Sequence, residues 1–207
     1  MDAVTPKGHD TAETHSHLVQ PQHMEWQKTR FPGCEAKTLL FDRESGLVTA
    51  LMKFAPGAVL PDHEHVHIEQ TYVLEGSLVD KEGPAQGIEC KAGEFIWREA
   101  GSRHVAWCPE GGLMLAIFQV PYRHTIDVGA PSDARRVRGV FDAEGIACRA
   151  GEFIWREPGS RHAAWCPEGA LLLAIFQVPN KFFEADGRVV DAAGEDWDES
   201  WGHTRKG

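Results

Sequence analysis

The chain lacks a basic surplus. Its 21 Lys and Arg are outnumbered by 31 Asp and Glu, for a formal charge of -10. Neutralising phosphates takes a basic stripe, so nucleic acid is excluded as an expected partner. It also lacks an apolar run long enough to span a bilayer, and its start lacks a charged-then-apolar signal pattern. No membrane partner is therefore expected, and a cytoplasmic location is. Cysteine pairs are missing too: Cys34, Cys90, Cys108, Cys148 and Cys166 are odd in number and form no Cys-x-x-Cys. They read as small buried hydrophobes in a reducing compartment rather than as disulfides.

Large apolar side chains are scarce at the N-terminus. Residues 1–28 carry His9, His15, His17 and His23 but too little apolar surface to offset the entropy of ordering, so a mobile segment is expected. No fixed geometry of those histidines is visible.

From Thr29 onward the pattern changes to short β-type runs. Thr38–Phe41, Leu47–Phe54, Gln70–Leu74, Ser77–Val79, Glu94–Trp97 and Leu113–Val120 are separated by Pro32-Gly33, Ser45-Gly46, Pro56-Gly57, Gly83-Pro84, Ala92-Gly93, Ala100-Gly101 and the Pro109–Gly112 turn. Many short strands at this spacing point to an all-β sandwich or barrel, with no amphipathic helix between residues 30 and 123.

The chain repeats itself. Gly87–Pro121 recurs without a gap as Gly145–Pro179, with changes only at Glu89/Ala147, Lys91/Arg149, Ala100/Pro158, Val105/Ala163, Gly112/Ala170 and Met114/Leu172. Upstream, Gly76–Gly83 is loosely echoed by Gly139–Gly145. Two units are too few for a stacked array, so half a domain has been copied. The expected layout is a mobile segment 1–28, a barrel over 29–123, a linker 124–138, a duplicated half-barrel segment 139–179 and a tail 180–207.

Chemistry concentrates in residues 57–76. His63 and His65 stand two apart, so one strand turns both to the same face. A short Val66-His67-Ile68 turn then returns the chain at Glu69. Downstream, Gly93 and Gly101 frame His104, and the copy supplies His162 at the same place. Imidazoles with one carboxylate suit Fe(II), Mn(II), Ni(II) or Zn(II), and suit Ca(II) or Mg(II) poorly. His67 reads as an exposed turn residue that could also act as an acid–base group at the mouth. Arg103 and Glu99 either orient a substrate or pair at the rim. Phe95, Trp97 and Trp107 read as barrel-wall packing, and Trp197 and Trp201 as anchors of the tail.

The arrangement Gly57-x5-His63-x-His65-x3-Glu69-x6-Gly76, then Gly93-x7-Gly101-x2-His104, resembles the two motifs of the cupin superfamily. One position departs from it: cupins usually carry proline two residues before the second glycine, where this chain has Glu99 and, in the copy, Glu157. The resemblance implies a cupin-type jelly-roll barrel with a duplicated C-terminal half-barrel segment. It implies one divalent metal held by His63, His65, Glu69 and His104, with Fe(II) foremost and Zn, Mn or Ni open. More narrowly, Gly101-Ser-Arg-His104-x-Ala-Trp107 and the C-terminal Asn180–His203 region resemble the subgroup of acetylacetone-cleaving and dihydroxyacetophenone-cleaving dioxygenases and anti-sigma-factor cupins. The activity implied is Fe(II)-dependent C–C cleavage of a small diketone or hydroxyketone. The alternatives are a non-catalytic Zn-bound sensory or ligand-binding cupin, or a cupin impaired by its duplication. The superfamily also makes a homodimer an expected partner state.

His162 rivals His104 as the last ligand. Using the copy lengthens the intervening stretch from 16 residues (Ser77–Ala92) to 74 (Ser77–Ala150), a loop-closure cost of only about 1.4 kcal/mol. Contiguity favours His104. The tail, which follows the copy directly, favours His162. The expectation is His104, which leaves the apolar strand Leu171–Val178 of the copy in need of cover.

Overall fold

A computed structural model describes residues 16–42, 45–120, 140–142, 146–166, 168–176, 181–183 and 186–191. Among these residues the chain is strand and turn, with a single 3-10 turn at Pro21–His23. No helix among them is long and apolar enough to cross a membrane. The chain divides into two compact units, Met1–Pro167 and Glu168–Gly207.

The first unit opens with β1 (Ser16–Val19) and β2 (Gln27–Lys28), then β3 (Cys34–Phe41), β4 (Leu47–Phe54), β5 (Ala58–Glu64) and β6 (Glu69–Glu82). There follow β7 (Glu89–Lys91), β8 (Phe95–Arg98), β9 (Arg103–Cys108) and β10 (Gly112–Gln119). The copied region adds β11 (Val140–Asp142), β12 (Ala147–Cys148), β13 (Phe153–Arg156) and β14 (Ala164–Trp165). The second unit contributes β15 (Lys181–Phe183) and β16 (Val189–Asp191), an antiparallel pair.

Nine strands form one curled antiparallel sheet in the order β2-β3-β4-β10-β6-β9-β5, with β7 and β8 also on β6. The 14-residue β6 makes the curl. Its first half pairs with β8 and β10, and its second half with β7 and β9. Inside lie Cys34, Phe54, Ala58, Val73, Leu78, Cys90, Ala106, Cys108 and Met114. Two glycines permit the closest strand approach. Gly76 and Gly112 stand opposite each other, and a Cβ on Gly76 (φ +71) would fall 2.1 Å from the Gly111 carbonyl oxygen. No L side chain fits there.

Three expectations need correction. Residues 16–28 are not a loose segment: Ser16, His17, Leu18 and Val19 are buried, and β1 pairs with β13. The His17 ring stacks on Trp155 at 3.9 Å and its Nε2 meets Glu157 Oε1 at 3.1 Å, so cross-strand contacts supply what local composition lacks. The apolar run of the copy is not a strand over 171–176, and Leu171, Leu172 and Leu173 are exposed. Residues 177 and 178 lie outside the described residues. Finally, Phe95 and Trp97 are exposed rather than packed in the wall, because β8 turns Ile96 and Arg98 inward and its alternate residues outward.

The cysteines are free thiols, with Cys34, Cys90 and Cys108 buried. Burial pushes the Cys108 thiol up to about 12, which leaves it protonated and inert. The linker 124–138, His9, His15, Trp197 and Trp201 lie outside the described residues.

Candidate metal centre

Register brings the histidines together. β5 pairs with β9 so that His63 faces His104 directly, after a bulge between Leu60 and His63 re-aims the end of β5. His65 follows β5 and is clamped by two backbone bonds: its N–H donates to Ser102 O at 2.9 Å, and Gly101 N–H donates to its carbonyl at 2.7 Å. The framing glycine of the second motif thus ties the first motif to the strand that carries His104. Ring centroids lie 4.5 Å apart for His63 and His104, 4.9 Å for His63 and His65, and 5.1 Å for His65 and His104.

Two of the three rings have Nδ1 engaged in a hydrogen bond. His63 Nδ1 donates to the Pro61 carbonyl at 2.8 Å. His104 Nδ1 donates to Asp80 Oδ1 at 2.6 Å. His65 Nδ1 stands 3.4 Å from Glu69 Oε2, the loosest of the three. For His63 and His104, donation through Nδ1 leaves Nε2 as the lone pair. His65 Nε2 and His104 Nε2 then lie 3.0 Å apart. With His104 Nδ1 donating to Asp80, His104 Nε2 accepts from His65 Nε2–H in this hydrogen bond, and a metal cation would take the place of that proton. One ligand atom from each of His63, His65 and His104 falls within 4.8 Å of the others, so the triad can hold a metal ion.

Burial sets the charge state. His65 is pushed down to about 4, chiefly by burial and then by its two imidazole neighbours, so it is neutral at neutral pH. Burial raises the Glu69 carboxyl, with Arg98 pulling the other way. Burial also works to raise Asp80, but the hydrogen bond from His104 and the charge of Arg98 outweigh it, and the net direction is down.

The remaining sequence candidates separate. Glu69 opens β6 beside His65, with Oε1 turned to Thr71 Oγ1 at 3.3 Å and Arg98 Nη1 at 3.7 Å, and it is outside the triad of converging ligand atoms. His67 is exposed in the turn. Arg103 grips Asp62 with Nε at 3.0 and 2.9 Å and with Nη2, at the exposed rim; its partner is not Glu99. His162 is exposed and stands outside the triad, whereas His104 is 3% exposed. Sequence reasoning missed Asp80 and Arg98, both buried. Each is a charge inside or closing an apolar strand, and the copy retains both types as Asp142 and Arg156, a faint signal with no spacing to give it a role.

A curled antiparallel sheet with convergent histidines defines the class: a cupin with a metal-capable three-histidine site. The chain belongs to the family described as the ChrR cupin-like domain, which residues 14–123 match. No curated protein matches the chain. Solved structures similar to it include an RmlC-like cupin from Shewanella frigidimarina NCIMB 400, at 24% identity over 47% of this chain and 85% of that one, TM-score 0.42. An acetylacetone dioxygenase from Acinetobacter johnsonii is 16% identical over 49% of this chain and 70% of that one, TM-score 0.43. The anti-sigma ChrR in complex with SigE from Rhodobacter sphaeroides is 20% identical over 46% and 50%, TM-score 0.39.

Proposed function

We propose that His63, His65 and His104 bind one divalent transition metal through Nε2, and that the protein is a metal-dependent dioxygenase of small diketones or hydroxyketones. The observation that carries this reading is the convergence of His63, His65 and His104, whose ligand atoms lie within 4.8 Å of one another. Three imidazoles suit Fe(II), Mn(II), Ni(II) or Zn(II), and on an octahedral ion such as Fe(II) they would leave positions open.

The chain's own residues prepare the site. Neutral His65 has no second ring proton to lose. Pro61 O and Asp80 set the tautomers of His63 and His104. The Arg103–Asp62 pair fixes the rim beside the triad. A bound ion supplies Lewis acidity and open positions for a ketone substrate and O₂. The functional unit on this reading is the 29–123 barrel, with 139–179 as a spare half.

The test is O₂ consumption by the Fe(II)-loaded protein across a panel of 1,3-diketones and hydroxyketones, with the products identified. Uptake that needs both metal and ketone supports the reading. Tight, stoichiometric Zn(II) with no uptake from any metal form would replace it with a sensory or ligand-binding module.

A further inference from the structure

β8 has a twin. Gly93–Glu99 and Gly151–Glu157 are the same seven residues, and β8 and β13 are their inner strands. β8 lies at an edge: among the described residues it pairs with β6 and with no other strand. Val73 N–H donates to the Glu94 carbonyl at 3.0 Å, and Gly93 N–H donates to the Val73 carbonyl at 2.8 Å. Bonds to β6 therefore fall on every second residue after Glu94, which turns the N–H and C=O of Phe95 and Trp97 away from β6. Their side chains are 45% and 54% exposed, beside Leu74 at 41%. An apolar edge with outward backbone groups is a template for a further strand.

β13 shows which strand this sequence takes. Ser16–Val19 pairs along it, and the His17 ring lies flat on Trp155, with Nε2 3.1 Å from Glu157 Oε1. Gln20 Nε2 donates to Glu152 Oε1 at 2.5 Å, while Glu152 Oε2 accepts from Arg149 N–H at 2.8 Å. β8 is furnished in the same way. Glu94 Oε2 accepts from Lys91 N–H at 2.7 Å, which leaves Oε1 for an incoming amide. Trp97 stands bare where Trp155 carries an imidazole, and Glu99 is exposed. The stretch that matches the family, 14–123, contains β1 but not β13. Within that stretch β8 is the one carrying the acceptor sequence.

We propose that the outer edge of β8 docks the Ser16–Val19 strand of a second copy of this chain, and that the copied segment occupies that strand from within its own chain. Trp97 receives the His17 ring, and Glu94 and Glu99 receive the polar groups of Gln20 and His17. Covalent linkage gives β13 the higher local concentration of β1, so exchange between chains becomes visible when β13 is weakened.

The probe is a synthetic peptide of residues 16–24, titrated into the full chain and read by backbone amide NMR shifts and hydrogen exchange. Saturable shifts at Phe95 and Trp97, with slowed exchange of both amides, are expected, and Trp97→Ala should weaken binding by about tenfold or more. Shifts confined to Phe153–Arg156, or none at either strand, overturn the docking edge. Trp155→Ala should release β1, and sedimentation of that full chain should show a concentration-dependent dimer that adding Trp97→Ala removes. If Trp155→Ala fails to fold, Glu157→Ala takes its place. A chain so weakened at β13 that stays monomeric, at concentrations where the peptide saturates β8, overturns the second copy as the occupant.

Discussion

The same hairpin sequence occurs twice in this chain, and the two occurrences come to rest in different surroundings. In Gly87–Pro121, β9 carries His104 into the triad and β10 lies between β4 and β6. In Gly145–Pro179, His162 is exposed and the described part of the β10 counterpart, 170–176, forms no strand. Local pairing is nevertheless rebuilt. Cys148 stands opposite Val140 as Cys90 does opposite Leu78, and Ala164 opposite Asp142 as Ala106 does opposite Asp80. The difference lies in the partner. Copy one folds against the 14-residue β6, whereas copy two has the three-residue β11 and, for β13, the separate strand β1. Arg98 therefore meets Glu69 across the ladder, and Arg156 meets Ser16. Short-range pairing travels with a sequence, but a site assembled from distant strands does not.

The contrast can be broken at its strongest point first. His104→Ala should abolish stoichiometric metal binding, while His162→Ala should leave it unchanged, as measured by metal analysis of the two purified variants. Metal lost from the second alone would reverse the assignment. A matched pair in the β10 position comes next. Met114 is 2% exposed and Leu172 is 61% exposed. Met114→Ala should cost about 2–5 kcal/mol and Leu172→Ala less than about 0.5 kcal/mol, read from denaturant midpoints. Equal losses would mean that the second copy is packed as tightly as the first.

The pH profile sharpens the same contrast, because among the described residues the triad of convergent histidines is built with copy one. His65 is lowered to about 4 in the folded protein, from an ordinary value of 6.5. Below pH 6.5 the unfolded chain takes up a proton that the folded chain refuses. The metal-free fold should therefore keep this contribution above pH 6.5 and lose on the order of 3 kcal/mol as the pH falls to about 4. His65→Gln should flatten that part of the profile, and a slope that survives the substitution would assign it elsewhere.

A last test asks why copy one occupies the slot. Gly112→Ala imports the Ala170 of copy two, and its Cβ would sit 3.0 Å from Glu75 O and 3.2 Å from Met114 Cε. A loss of about 1–3 kcal/mol is expected. A neutral result would remove steric fit at this position as a reason for the choice.

Much of the candidate site was legible because its histidines stand at close spacings in the chain. His63-x-His65 and the Gly93–Gly101–His104 frame needed only the two-residue period of a strand and a glycine turn to be read. Asp80 and Arg98 were not read, since a single charge in a strand has no spacing to mark it; its role appears only when Glu69, Asp80, Arg98 and His104 are brought together. The N-terminal strand escaped for the opposite reason. Ser16–Val19 has little apolar surface of its own, and it is ordered by pairing with β13 and by Trp155 and Glu157, more than a hundred residues away.

By itself the amino-acid order determined the β character, the repeat, and the three histidines in their motifs, because each rests on local conformation and side-chain period. It left open which of two near-identical hairpins would supply the last imidazole, since local physics treats both alike. Tertiary structure decided that. β6 offers one long strand with Gly76 opposite Gly112, β5 offers His63 opposite His104, and only one copy can occupy that place.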